Sequence, residues 1–206
     1  MKSILAGAIP ALFLLASGAM AAPGDEPARQ KPGTASEIFS AVKDSTARVV
    51  GEFSAEITRS TQGFATAVAI NDMYEVAAGK LAMERARSPQ VKAFAQKMIE
   101  AHTDTTAKLK ATIRNNNVNA TLPDRMDARR RGMLDDLRGA RPRYFDHRYL
   151  VQQIAAHKEA DILIHRYAKV GKINAVREFA ARTDRLVEMH LSMARDLATR
   201  TRGEDR

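Results

Sequence analysis

The sequence predicts an all-α protein built as two antiparallel helix hairpins joined by a crossover, and three observations carry that prediction. Apolar residues recur at steps of three and four through four long segments, as one buried stripe of a helix requires. Ser88-Pro89 and Gly171 divide those segments into pairs with connections so short that each pair must run antiparallel. No segment shows the period-two alternation, bounded by turn residues, that a strand needs.

The chain of 206 residues begins with Lys2, an apolar run from Ile4 to Ala16 and the small residues Ala19-Met20-Ala21-Ala22. That order is a secretory signal over 1–21, with removal expected after Ala21, and it predicts a periplasmic or otherwise exported protein. The apolar run is too short to span a bilayer comfortably. Residues 22–35, with PGDEPARQKPG at their centre, have no periodic apolar face and read as a disordered leader.

Over 36–62 the residues Ile38, Phe39, Val42, Val49, Val50, Phe53 and Ile57 recur loosely at helical spacing, so an N-terminal helical extension is expected, broken at Thr61-Gln62-Gly63. The bundle proper is expected over 63–200. Its first helix runs from about Phe64 to Ala86, with Ala67, Val68, Asn71, Tyr74, Glu75, Ala78, Leu81 and Ala82 on one side. The second follows Ser88, an N-cap with Pro89 at the first helical position, and reaches about Arg114 through Phe94, Met98, His102 and Leu109. Asn115-Asn116-Asn117 ends it, and the crossover holds a short helix around Met126 to Leu137. The third long helix spans Phe145 to about Val170, stopped by Gly171, and the fourth Asn174 to about Thr199, leaving 201–206 as a tail.

With 33 Lys and Arg against 24 Asp and Glu, the formal charge is +9. Export and an aromatic content of 5% without Trp argue against a nucleic-acid partner. An anionic membrane surface or an envelope protein is the expected partner class. Arg129-Arg130-Arg131 with Arg138, Arg141 and Arg143 makes the crossover basic; a solvated face is the default, docking to lipid phosphate the alternative. The absence of Cys leaves stability to packing, or to packing plus a metal.

Three of the five His fall on the buried stripes, His102, His157 and His190, and Glu75 occupies the stripe of the remaining helix. At about 1.5 Å of rise per residue, Glu75 and His102 lie roughly 18 and 21 Å from their turn, and His157 and His190 roughly 21 and 27 Å from theirs. Imidazoles and a carboxylate on facing helices are how bundles hold one zinc, iron or copper ion. Asp161, one turn past His157, is a candidate further ligand or a partner that orients an imidazole. The same four polar residues also suit a metal-free hydrogen-bond network that fixes helix register. His147 and His165 lie off the stripes, and the methionines at helical spacing read as core filling. There is no phosphate-binding glycine loop, nucleophile elbow or metalloprotease motif.

Asn71-Asp72-Met73-Tyr74-Glu75 with Gly79-Lys80-Leu81-Ala82 opens a longer pattern, continued by Val91-Lys92-Ala93-Phe94-Ala95, Met98-Ile99 and Ala101-His102-Thr103. Leu122-Pro123, Phe145-Asp146, Tyr149, His157, Phe179-Ala180 and His190-Leu191 complete it. In order and spacing the stretch from Ala69 to Ala198 resembles a family of exported bacterial proteins known only as a domain of unknown function and grouped with ferritin-like bundles. The resemblance implies a ferritin-like antiparallel four-helix bundle with the long crossover between helices 2 and 3. Ferritin-type di-iron centres use Glu-x-x-His, whereas Glu100-Ala101-His102 and Glu188-Met189-His190 set Glu and His two residues apart, on different faces. The expectation is a non-enzymatic or weakly enzymatic envelope protein holding one transition-metal ion through Glu75, His102, His157 and His190. A metal-dependent redox enzyme and a structural adaptor are the alternatives.

Overall fold

The computed structural model describes residues 60–204, and the signal, leader and nearly all of the N-terminal extension expected over 36–62 lie outside them. The described residues form five α-helices and one short 3-10 turn, with no strand among them. We name the helices α1 (Thr61–Arg85), α2 (Pro89–Asn115), α3 (Ala128–Gly139), α4 (Phe145–Val170) and α5 (Asn174–Glu204), with the 3-10 turn at Pro142–Tyr144. None of them is long and apolar enough to cross a membrane.

Local chemistry sets most of the boundaries. Ser60 Oγ accepts from Gly63 N at 3.2 Å, so α1 starts at Thr61, where the sequence predicted a break. Two tethers hold that first turn: Gln62 exchanges hydrogen bonds with the backbone of Thr121, at 2.7 and 2.8 Å, and Thr61 Oγ1 meets the Tyr167 hydroxyl at 2.8 Å. Ser88 caps α2 with Pro89 behind it, and Asp127 caps α3 by accepting from Arg130 N at 2.7 Å. Asn117, with φ 49°, takes the left-handed conformation that ends α2, a position an Asn tolerates. Gly171 ends α4 for a different reason from the one its type suggested. Its φ is −60°, open to any residue, but an added Cβ would stand 2.4 Å from the Tyr167 ring. Helix α5 continues beyond the expected stop to Glu204, with Thr201 buried and bonded to Leu197 O at 3.0 Å.

Helix α1 packs on α2 and α4 on α5, and the two hairpins meet through α2 against α5 and α1 against α4. The α1–α2 turn is fastened to the start of α4, because the Asp146 carboxylate accepts from the backbone N–H of Arg87 at 3.0 Å and of Ser88 at 2.7 Å. The crossover helix α3 lies against α1 and α4. Arg85 donates to the carbonyls of Leu137, Arg138 and Ala140, satisfying orphan acceptors at the end of α3. This cover explains why every residue from Tyr149 to His157 is buried, all round α4.

Two apolar clusters form the core. One gathers Tyr74, Ala78, Phe94, Met98, Tyr149, Leu150, Leu191 and Ala194; the other gathers Phe64, Val68, Leu109, Leu163, Tyr167, Phe179 and Val187. Where the two clusters meet, each long helix carries buried polar residues: Asn71, Asp72 and Glu75 on α1, His102 and Thr105 on α2, His157 on α4 and His190 on α5. A polar belt therefore crosses the middle of the protein.

Candidate metal centre

The belt brings together all four residues singled out from the sequence. Glu75 and His157 are 0% exposed, His190 1% and His102 5%. The His102, His157 and His190 rings form a triangle with centroids 5.5 to 5.8 Å apart, and Glu75 Oε1 stands 3.7 Å from His157 Nδ1. One ligand nitrogen of each imidazole lies within 4.8 Å of those of the other two. Three nitrogens around a tetrahedral ion are about 3.3 Å apart for bonds of about 2.0–2.1 Å, a spacing that lies inside this bound.

Hydrogen bonds fix which nitrogen two of the three rings, His102 and His157, present. His102 Nδ1 meets Asp72 Oδ1 at 2.8 Å, and Asp72 Oδ2 accepts from Thr106 Oγ1 at 2.9 Å. His157 Nδ1 lies 2.9 Å from the carbonyl oxygen of Gln153, one turn earlier on α4, to which it can only donate. In both rings the Nδ1 bond turns Nε2 into the belt; at His157 it leaves the Nε2 lone pair free, the arrangement of a metal-ligating His, and at His102 the lone pair becomes available when the ring gives up its second proton to a metal. Gln153 Nε2 donates to Glu75 Oε2 at 2.6 Å and leaves Oε1 over.

Buried polar atoms lacking a hydrogen-bond partner among the described residues gather here. They include Glu75 Oε1, His102 Nε2, His157 Nε2, both nitrogens of His190, Gln153 Oε1 and the Tyr149 hydroxyl. An unpaired buried polar atom costs about 1–3 kcal/mol, so such a concentration calls for an explanation, and an ion is the simplest one that satisfies several at once.

The electrostatics separate the three rings. Burial, then the His102 charge, lowers His157 to about 3 from 6.5. Burial and the charges of His157 and His102 likewise lower His190 to about 3. Both are therefore neutral imidazoles at neutral pH, the form a metal takes. Burial opposes charge on His102 too, but the hydrogen bond and charge of Asp72 outweigh it and raise the ring above its ordinary value. Burial raises Asp72 and Glu75.

Asp161 is not among the groups that touch these rings. Its carboxylate groups with Asp184 and Glu188 between α4 and α5, away from the triad. Four residues of helix advance the direction by about 400°, so a residue one turn past His157 has already drifted about 40° toward the helix edge. Asp72 holds the orienting place instead. His165 continues the drift: it is exposed and pairs with Asp184 at 3.0 Å.

The basic crossover also departs from expectation, since Arg130 is 3% exposed rather than solvated. It donates to Asn71 Oδ1 at 2.7 Å and to Glu159 Oε2 at 2.9 Å, while Arg129 forks onto both Glu159 oxygens at 3.0 and 2.6 Å. A di-iron set of four carboxylates and two His does not fit this belt. Asp72 and Glu159 are committed to His102 and the arginines, and Glu100 and Glu188 are exposed.

A profile of the family described as "Domain of unknown function (DUF4142)" matches residues 50–197. No curated protein and no solved structure matches the chain.

Proposed function

The chain belongs to the family of the domain of unknown function DUF4142, and from that premise we propose that it is a ferritin-like four-helix bundle holding one transition-metal ion on His102, His157 and His190, with Glu75 as the fourth donor. The observation that carries this reading is the meeting of three buried imidazoles from three helices, two with Nδ1 occupied and Nε2 free, beside a buried carboxylate oxygen that nothing else satisfies. A purely structural network would pair these atoms with one another, since half-satisfied buried networks are costly. Neutral imidazoles with one carboxylate suit zinc, copper or iron.

The protein is read as exported and as serving the cell envelope on the strength of Lys2, the apolar run to Ala16 and the small residues before Ala22. Metal binding without turnover is preferred to a redox enzyme, because the ferritin-type di-iron donor set is missing from the described belt.

The test is the metal content of the mature chain from Ala22, purified without a His tag, beside a His102→Ala, His157→Ala variant. Near one equivalent of metal, lost in the variant, supports the proposal. A metal-free protein that stays folded and takes up no zinc, copper or iron on reconstitution sinks it.

A further inference from the structure

Beside the triad lies a cavity of ≈ 20 Å³, against His102 and His190, with Asp72, Ala160, Leu163 and Val187 among its walls. Neither Glu75 nor His157 lines it. That volume is about the room one or two waters need. Resting on the metal reading above, we propose that this cavity is the exogenous-ligand pocket of the centre. It would seat a water, or a linear anion of two or three atoms, as a fifth ligand beside the four protein donors.

The placement follows from which donors stand where. Glu75 and His157 are in ion-pair range of each other, so they close one flank of the triangle, and the cavity adjoins the rings of the other two members. The walls are mainly apolar, and Arg130, which also lines the cavity, is already neutralised by Glu159. Such a pocket selects by size rather than by charge recognition.

A route into it is also visible. Thr105, Thr183 and Leu186 line both this cavity and a larger surface groove between α2 and α5. The two threonine hydroxyls are turned back onto the carbonyls of Ala101 and Phe179 in their own helices, each at 2.9 Å. They therefore offer no free O–H donor to an anion passing through, and the barrier to it is steric.

The experiment loads the mature protein with cobalt(II), confirms the stoichiometry, and follows the visible spectrum during titration with azide and, separately, with imidazole. Azide is expected to shift the bands with saturation, and imidazole at the same concentrations to leave them unchanged. Ala160→Val, which fills the cavity, is expected to retain the metal and weaken azide binding by roughly tenfold or more. The wild-type comparison of the two ligands stands even if that variant fails to fold. Loaded protein that ignores azide, or binds imidazole equally well, overturns the pocket and leaves the metal site standing. Failure to load cobalt, zinc, copper or iron overturns the metal site itself.

Discussion

His102 and Asp72 form a buried pair, Nδ1 to Oδ1 at 2.8 Å, that joins α2 to α1 and points the other imidazole nitrogen into the belt. The carboxylate does two things at once: it fixes the tautomer and orientation of the ring, and it raises the basicity of the ligand nitrogen. Asp72→Asn keeps the shape and removes the charge. Its metal affinity is expected to fall by about 10- to 100-fold, with His157 and His190 untouched. A competition titration against a chelator of known affinity measures it, and an affinity within about twofold of wild type would remove Asp72 from the site.

The depressed values of His157 and His190 make a pH prediction for the metal-free protein. Between 6.5 and about 3 the unfolded chain carries a proton on each imidazole that the folded chain refuses. Their contribution is therefore complete above 6.5 and declines as pH falls, by about 1.4 kcal/mol per pH unit for each ring, until the folded value is passed. Raised carboxyls at Glu75 and Asp72 act in the opposite sense, so a difference isolates the effect. Denaturant unfolding between pH 6.5 and 4 is expected to show a slope shallower by about 1.4 kcal/mol per unit in His190→Gln than in wild type.

Helical spacing was enough to find Glu75, His102, His157 and His190, because a stripe residue points inward whatever its partner. Asp72 escaped because α1 buries a face wider than one stripe, so Asn71 and Asp72 lie inside together with Tyr74 and Glu75. That doublet pattern, two adjacent polar residues repeated three positions on, is the signal that would have revealed it. Gln153 was hidden differently: α4 is buried all round from Tyr149 to His157 only because α3 covers its outer side, a fact of tertiary packing. Arg130 stands in a run of three arginines, and only its partners Asn71 and Glu159, on two other helices, distinguish it from its exposed neighbour Arg131.

A close approach of α1 to α2 at Gly79 gives a third expectation. An added Cβ at Gly79 would stand 2.8 Å from Ile99 Cγ1 and 3.1 Å from the carbonyl oxygen of Ala95. In an isolated helix Gly→Ala gains about 1 kcal/mol. Here overpacking, about 1–3 kcal/mol, is expected to dominate, so Gly79→Ala should lower the denaturation midpoint. Adding Ile99→Ala removes the nearer obstacle, and the double variant should lose less than the sum of the two single changes.

The Arg130–Glu159 pair ties the crossover helix to the belt, and its energetics predict an asymmetry between single and double substitution. Glu159 is 7% exposed and satisfies two arginines, of which only Arg130 is as deeply buried. Glu159→Met leaves Arg130 in the interior with Asn71 as its remaining side-chain oxygen partner, an uncompensated charge that costs about 3–5 kcal/mol. Replacing both residues, Arg130→Met with Glu159→Met, removes the two desolvation penalties along with the attraction. The double variant should therefore recover most of the stability lost by the single one. Chemical denaturation of the three proteins decides it: a double variant as unstable as Glu159→Met would mean that the pair stabilises the fold through specific hydrogen bonding to Asn71 rather than by charge compensation.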